Sequence, residues 1–229
     1  DPAQRNRSAL AATYNNLALV LEAAERDDEV EPFLAGAREM ALELFGREDM
    51  RYAISTGNLG ALYRRLGRLD EADALLEESM ALRRGMLGDA HPHVGHAMVQ
   101  LAYLRLDQDR VEDALALTDR TLEIYAGSDY SDPRRTTQAR VVRATALARL
   151  DRAQEAGELF EKIVAEGRAA GIDSGVQWAH MLAARADFAI ARRPGDASTA
   201  IAEAFEAFTR IFGEDHPATR RYAALLRPD

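Results

Sequence analysis

The chain has no cysteine, which excludes disulfides, thiolate metal sites and cysteine nucleophiles. Aromatic residues make up only 7% of its 229 residues. Valine, isoleucine and threonine are too sparse and scattered to build a sheet of any size. No apolar run approaches the roughly 18 residues that a membrane helix needs. No signal peptide opens the chain, and a cytoplasmic location is the expectation. Lysine is nearly absent: Lys162 is the only one among 29 basic residues. No GxSxG, HExxH, Walker-type or dinucleotide fingerprint is present. Neither catalysis nor a cofactor is therefore expected. There is no methionine at the start, where Asp1-Pro2 stand, so a processed form or a fragment of a longer protein is expected. A formal net charge of −9 repels phosphate backbones and argues against nucleic acid as a partner.

What the chain has in quantity is alanine and leucine, the composition of packed helices, and it repeats. Thr13 to Gly46 aligns without a gap on Ser55 to Gly88. Asn16 maps to Asn58, Leu17 to Leu59, Glu29 to Glu71 and Gly46 to Gly88, each 42 residues on. The offset carries Leu59 to Leu101, Arg68 to Arg110 and Ala72 to Ala114, and twice the offset carries Arg68 to Arg152. The stretch FGEDHP at 212–217 matches LGDAHP at 87–92. Within a unit, Ile54, Leu59, Leu62, Tyr63 and Leu66 form a helical stripe. Gly67 ends that helix, and Pro92 starts the one after the next turn.

These spacings predict helices at about 8–24, 28–45, 50–66, 69–86, 91–107, 110–126, 132–149, 152–170, 173–191 and 196–212, with a cap over 216–226. One hairpin cannot bury its apolar face alone, so such units must stack. Arg143 stands where Leu59 and Leu101 predict an apolar residue, which suggests a slipped register in the fourth unit.

Leu59-Gly60-x-x-Tyr63 followed by Gly67-x-x-x-Glu71-Ala72 resembles the tetratricopeptide repeat. The 42-residue period and the LGxxHP turn resemble the kinesin-light-chain type and its bacterial relatives. The resemblance implies an all-α, right-handed superhelical solenoid of about five helix-turn-helix repeats plus a C-terminal capping helix. It implies a single domain over 1–229, with repeats near 8–48, 49–90, 91–131, 132–172 and 173–213 and a cap over 214–229.

The same resemblance puts the first helix of each pair on a concave face. The residues expected there include Asn15 and Asn16, then Gly57, Asn58, Arg64 and Arg65, then Val99, Gln100, Tyr103 and Leu106, then Val141, Val142 and Arg149. Asn16, Asn58 and Gln100 hold one repeat position. Amides both donate and accept, so a ladder of them can grip an extended peptide backbone. They equally serve as bridges between helices. Arg64, Arg65 and Arg149 suit a carboxylate or phosphate clamp, or a solvated surface.

Two other features need weighing. His91, His93 and His96 invite a metal reading, but His91-Pro92 recurs as His216-Pro217, so a helix cap is the better expectation. Trp178, the only tryptophan, reads as a packing anchor between units four and five, with a binding hot spot as the alternative. The expected function is a scaffold that binds a protein or peptide. The alternatives are a regulatory segment of a larger bacterial signalling protein, either a serine/threonine kinase or a transcription regulator, and a peptide or small-ligand sensor. Self-association through an open end of the stack is also expected of such arrays.

Overall fold

A computed structural model of the chain describes residues 7, 9–10, 13–14, 16–18, 29–128, 132–192 and 194–226. All its regular structure among the described residues is helical. The helices are α1 (Glu31–Phe45), α2 (Met50–Arg65), α3 (Leu69–Leu87), α4 (Pro92–Asp107), α5 (Val111–Ala126), α6 (Pro133–Arg149), α7 (Ala153–Ala169), α8 (Val176–Arg192), α9 (Ser198–Phe212) and α10 (Pro217–Leu226). Residues 16–18 are also helical. The chain forms two compact units, Asp1–Tyr130 and Ser131–Asp229. In the first, α2 pairs with α3 and α4 with α5; in the second, α6 pairs with α7 and α8 with α9. The first helices of successive pairs lie side by side within each unit, α2 with α4 and α6 with α8.

Turn chemistry explains why the hairpins recur in register. After α2, α4 and α6 the chain uses one residue with positive φ to reverse direction. That residue is Gly67 (φ 75°), then Asp109 (φ 59°), then Asp151 (φ 58°), each 42 residues on. Aspartate is among the few side chains that tolerate this conformation. The next residue is always arginine, and it clasps the acid three positions on: Arg68 with Glu71, Arg110 with Asp113, Arg152 with Glu155. The fourth unit therefore keeps its register at the turn, which corrects the expected slip. Arg143 is half-buried, and its charge acts on the Glu155 carboxylate. A long side chain can bury its stem and keep its head near a counter-charge.

The turns before α2, α4, α6 and α10 are also chemically fixed. Asp49 and Asp132 cap α2 and α6 by accepting from the backbone N–H groups of Arg51 and Arg134. His91 does the same for α4: its Nδ1 accepts from His93 N–H at 3.1 Å. His216 Nδ1 accepts from Ala218 N–H at 3.2 Å. The repeated histidine is thus a helix cap, since a neutral imidazole offers one lone pair to an otherwise unpaired N–H.

The cores follow the stripes. In the first unit Leu34, Leu59 and Leu62 pack with Ala18 and Val30, and Leu76, Leu101 and Leu104 pack with Ala72. In the second unit Phe160, Ile163, Trp178, Met181, Ile201, Phe208 and Tyr222 form one cluster. Trp178 on α8 lies against Gly167 on α7, its ring within 2.3 Å of where a Cβ would stand. It joins the fourth and fifth repeats, as expected of a packing anchor.

Two polar links hold successive repeats in the first unit, and they share one register. Tyr63 donates to Glu31 at 2.8 Å. Forty-two residues on, Arg105 donates to Asp73 at 2.8 Å. The Arg68 guanidinium, helped by the Tyr63 hydroxyl, holds the Glu31 carboxyl below its ordinary range. The Arg105 guanidinium does the same for Asp73. A carboxylate whose folded pKa is depressed stabilises the fold above its unfolded pKa, and that stability is lost as pH falls through the folded value. The denaturant midpoint is therefore expected to be level from pH 7 to about 5 and to fall below about pH 4. The double variant Glu31→Gln/Asp73→Asn is expected to start lower and to show a shallower fall, read by urea titrations followed by circular dichroism.

Candidate functional site

The first helices carry the residues singled out in the sequence. Asn16 is exposed on the short helical segment at 16–18. Asn58 on α2 and Gln100 on α4 are half-buried. Arg65 and Arg149 are exposed at the last turns of α2 and α6. Arg149 belongs to the second unit. Asn15 lies outside the described residues.

Two of the positions singled out, Arg64 and Tyr103, form one contact set with Asp107. The Arg64 guanidinium stands over the Tyr103 ring at 5.0 Å. Its Nη1 donates to Asp107 Oδ2 at 2.6 Å. Arg64 is on α2, whereas Tyr103 and Asp107 are on α4, so the set bridges two neighbouring first helices. A guanidinium over an aromatic face gains about 0.5–1 kcal/mol at a surface site, and the ring also fixes its plane. Asp107 closes the set from the end of its own helix.

Several expected surface positions are in fact buried. Val99 is 1% exposed, Leu106 6%, Val141 8% and Val142 0%, and Gly57 is buried as well. Val99, Leu106, Val141 and Val142, all apolar, turn into the core instead. At those positions an apolar side chain gains more by entering the core, where about 25 cal/mol is recovered per Å²; Val141, for one, joins the cluster around Phe160. Gly57 is covered because Ser79 and Arg83 of α3 come close: a Cβ there would stand 2.7 Å from Ser79 Oγ.

One feature that sequence reasoning missed is the distribution of charge between helices. Among the described residues, α2 has three arginines and no acid, and α4 has one of each. Helix α6 has five arginines and no acid, α8 two arginines and one acid, and α10 two arginines and no acid. The second helices are the reverse: α1 has three acids and one base, α3 five and two, α5 four and one, α7 four and two, and α9 two and one. Among the described residues, α2, α4, α6, α8 and α10 together are thus net +11, and α1, α3, α5, α7 and α9 together net −11. The signal was present in the sequence, but it needs the helix bounds to be summed.

Two causes account for part of this. Arginines close the carbonyl ends of first helices and acids open the second helices, matching the helix dipole. Some arginines also bind second-helix acids directly: Arg105 holds Asp73 and Glu77, Arg185 holds Glu161 and Glu203, and Arg140 pairs with Glu166. Arg64 is different, since its partner Asp107 lies in the first-helix layer itself.

A family model described as tetratricopeptide repeat matches residues 9–85 and 52–127. Among curated proteins, none matches the sequence. Among solved structures, BtubC (BKLC) from P. vanneervenii is 19% identical, with a TM-score of 0.61 over 74% of this chain and 67% of that one. A putative kinesin light chain from Podosopora anserina with nearly identical TPR-like repeats is 20% identical, with a TM-score of 0.61 over 97% and 99% of the two chains. A Rap protein solved in complex with Competence and Sporulation Factor is 11% identical, with a TM-score of 0.63 over 98% and 70%. At these identities the likeness is one of fold. Among the described residues, no helix is long and apolar enough to cross a membrane.

Proposed function

Since the chain belongs to the tetratricopeptide repeat family, a general protein-interaction scaffold, we propose that its first helices receive an extended acidic segment of a partner protein. The observation that carries this reading is the charge segregation: an acidic chain keeps net positive charge on its first helices. A partner with negative charge is steered to those helices and repelled by the others. Asn16, Asn58 and Gln100 serve as the amide ladder for the partner's backbone. Within the first unit, Arg64 and Arg65 serve its carboxylates, and Tyr103 gives Arg64 a flat support. Binding alone is the output; no residue here has a catalytic task.

The test is fluorescence anisotropy with two labelled peptides, a glutamate decamer and a lysine decamer. The glutamate peptide is expected to bind and the lysine peptide not to. Each lost charge-assisted hydrogen bond removes about 1.5–3 kcal/mol, so Arg64→Ala/Arg65→Ala is expected to weaken the glutamate peptide at least tenfold. The Asn58→Ala/Gln100→Ala variant is expected to lose about tenfold to thirtyfold, because two neutral amides contribute about 1 kcal/mol each. Equal binding of the two peptides, or full affinity in both variants, would put the interaction elsewhere.

A further inference from the structure

The Arg64 contact set has a property that a plain receptor arginine lacks, because a carboxylate of the chain's own is already in it. Asp107 Oδ2 accepts from Arg64 Nη1 at 2.6 Å. The Arg64 Nε is buried with no hydrogen-bond partner. The guanidinium therefore cannot offer its Nε edge to an incoming group, and only its Nη end remains. That is the end Asp107 holds. The Arg64 side chain is 19% exposed and that of Asp107 41%, so the carboxylate is the better-hydrated partner. The Tyr103 ring, 5.0 Å from the guanidinium carbon, keeps the arginine in place when its counter-ion leaves.

We propose that Asp107 is an internal stand-in for a partner carboxylate at Arg64, and that it sets affinity and selectivity by competing for that site. The proposal rests on the reading of the first helices as the receptor for an acidic protein segment. Its physical content is an exchange of one carboxylate for another. A ligand carboxylate that takes Nη1 must displace Asp107 and then meet its negative charge nearby. Weakly acidic segments fail to repay that exchange, and only those with closely spaced carboxylates succeed. A single internal acid thereby raises the threshold for binding without blocking the site.

Asp107→Asn keeps the shape and a hydrogen-bond acceptor but removes the competing charge. The expected result is that Asp107→Asn binds the glutamate decamer about twofold to fivefold more tightly than the native chain, as follows from the modest strength of a partly exposed ion pair. In the Arg64→Ala background the same change is expected to give no gain, because nothing is left to compete for. Thermal melts by circular dichroism establish that each variant is folded. A gain of equal size with and without Arg64 overturns the proposal, since it would reflect net charge alone. Unchanged or weaker binding in Asp107→Asn also overturns it, and would make Asp107 a residue that positions Arg64. In both cases a loss on Arg64→Ala keeps the receptor reading standing. If the native chain and Asp107→Asn both ignore the glutamate decamer, the receptor reading fails and the competition falls with it.

Discussion

Arg105→Ala is expected to lower the stability of the first unit by about 2–4 kcal/mol. Arg105 is on α4 between Leu104 and Leu106, and its side chain is 7% exposed. Nη1 donates to Asp73 at 2.8 Å and to Gln108 Oε1 at 2.7 Å, and Nη2 to Glu77 at 2.6 Å. Truncation removes the counter-charge of two carboxylates on α3 and empties the space its stem filled. A fully buried pair broken in this way loses about 3–5 kcal/mol. The figure is discounted here because Asp73 and Glu77 are 30% and 46% exposed and can take up water. Arg105→Met separates the two contributions: it keeps most of the stem packing and loses only the charge. Chemical denaturation is expected to place it between the native chain and Arg105→Ala. A methionine variant as unstable as the alanine one would mean that the ion pairs carry the junction. A methionine variant as stable as the native chain would mean that packing carries it.

Arg105 also shows where the sequence is readable and where it is not. The 42-residue offset makes the hairpins legible because turn residues obey local rules: positive φ at Gly67, Asp109 and Asp151, and caps at His91 and His216. Those rules act within a few residues, so they survive without tertiary information. The junction link is not local. Glu31 with Tyr63 and Asp73 with Arg105 occupy the same repeat register, yet a tyrosine and an arginine share no sequence pattern. One repeat further on, the sequence carries leucine at both positions, Leu115 and Leu147. Only the distances reveal that the first two are one interaction. Arg64 was legible as a candidate from its position, but its engagement by Asp107 depends on how α2 and α4 pack side by side. Val99 and Leu106 fail the positional rule for the same reason. A repeat position specifies which way a residue starts out from the helix, and the neighbouring helix decides whether it is covered.

Gly167→Ala is expected to destabilise the second unit by about 2 kcal/mol and to disturb the environment of the only tryptophan. A Cβ at Gly167 would stand 2.3 Å from Trp178 Cζ3 and 2.7 Å from Cη2, far inside contact distance. The indole is rigid and 7% exposed, and it packs in the cluster with Phe160, Ile163 and Ile201. It cannot give way without moving that core, and a clash this close sits near the upper end of the usual overpacking cost, about 3 kcal/mol. Alanine returns about 1 kcal/mol in helix propensity within α7, so the clash wins. Gly157→Ala on the same helix supplies the control. Its Cβ would meet Phe188 at 3.5 Å, an ordinary contact, and the propensity gain is then expected to stabilise by up to about 1 kcal/mol. Tryptophan emission is expected to shift to the red in Gly167→Ala and to stay fixed in Gly157→Ala. Trp178→Leu is expected to remove most of the penalty of Gly167→Ala when the two are combined, because the clash is pairwise. A Gly167→Ala penalty that persists in the Trp178→Leu background would assign the need for glycine to the backbone of α7 instead.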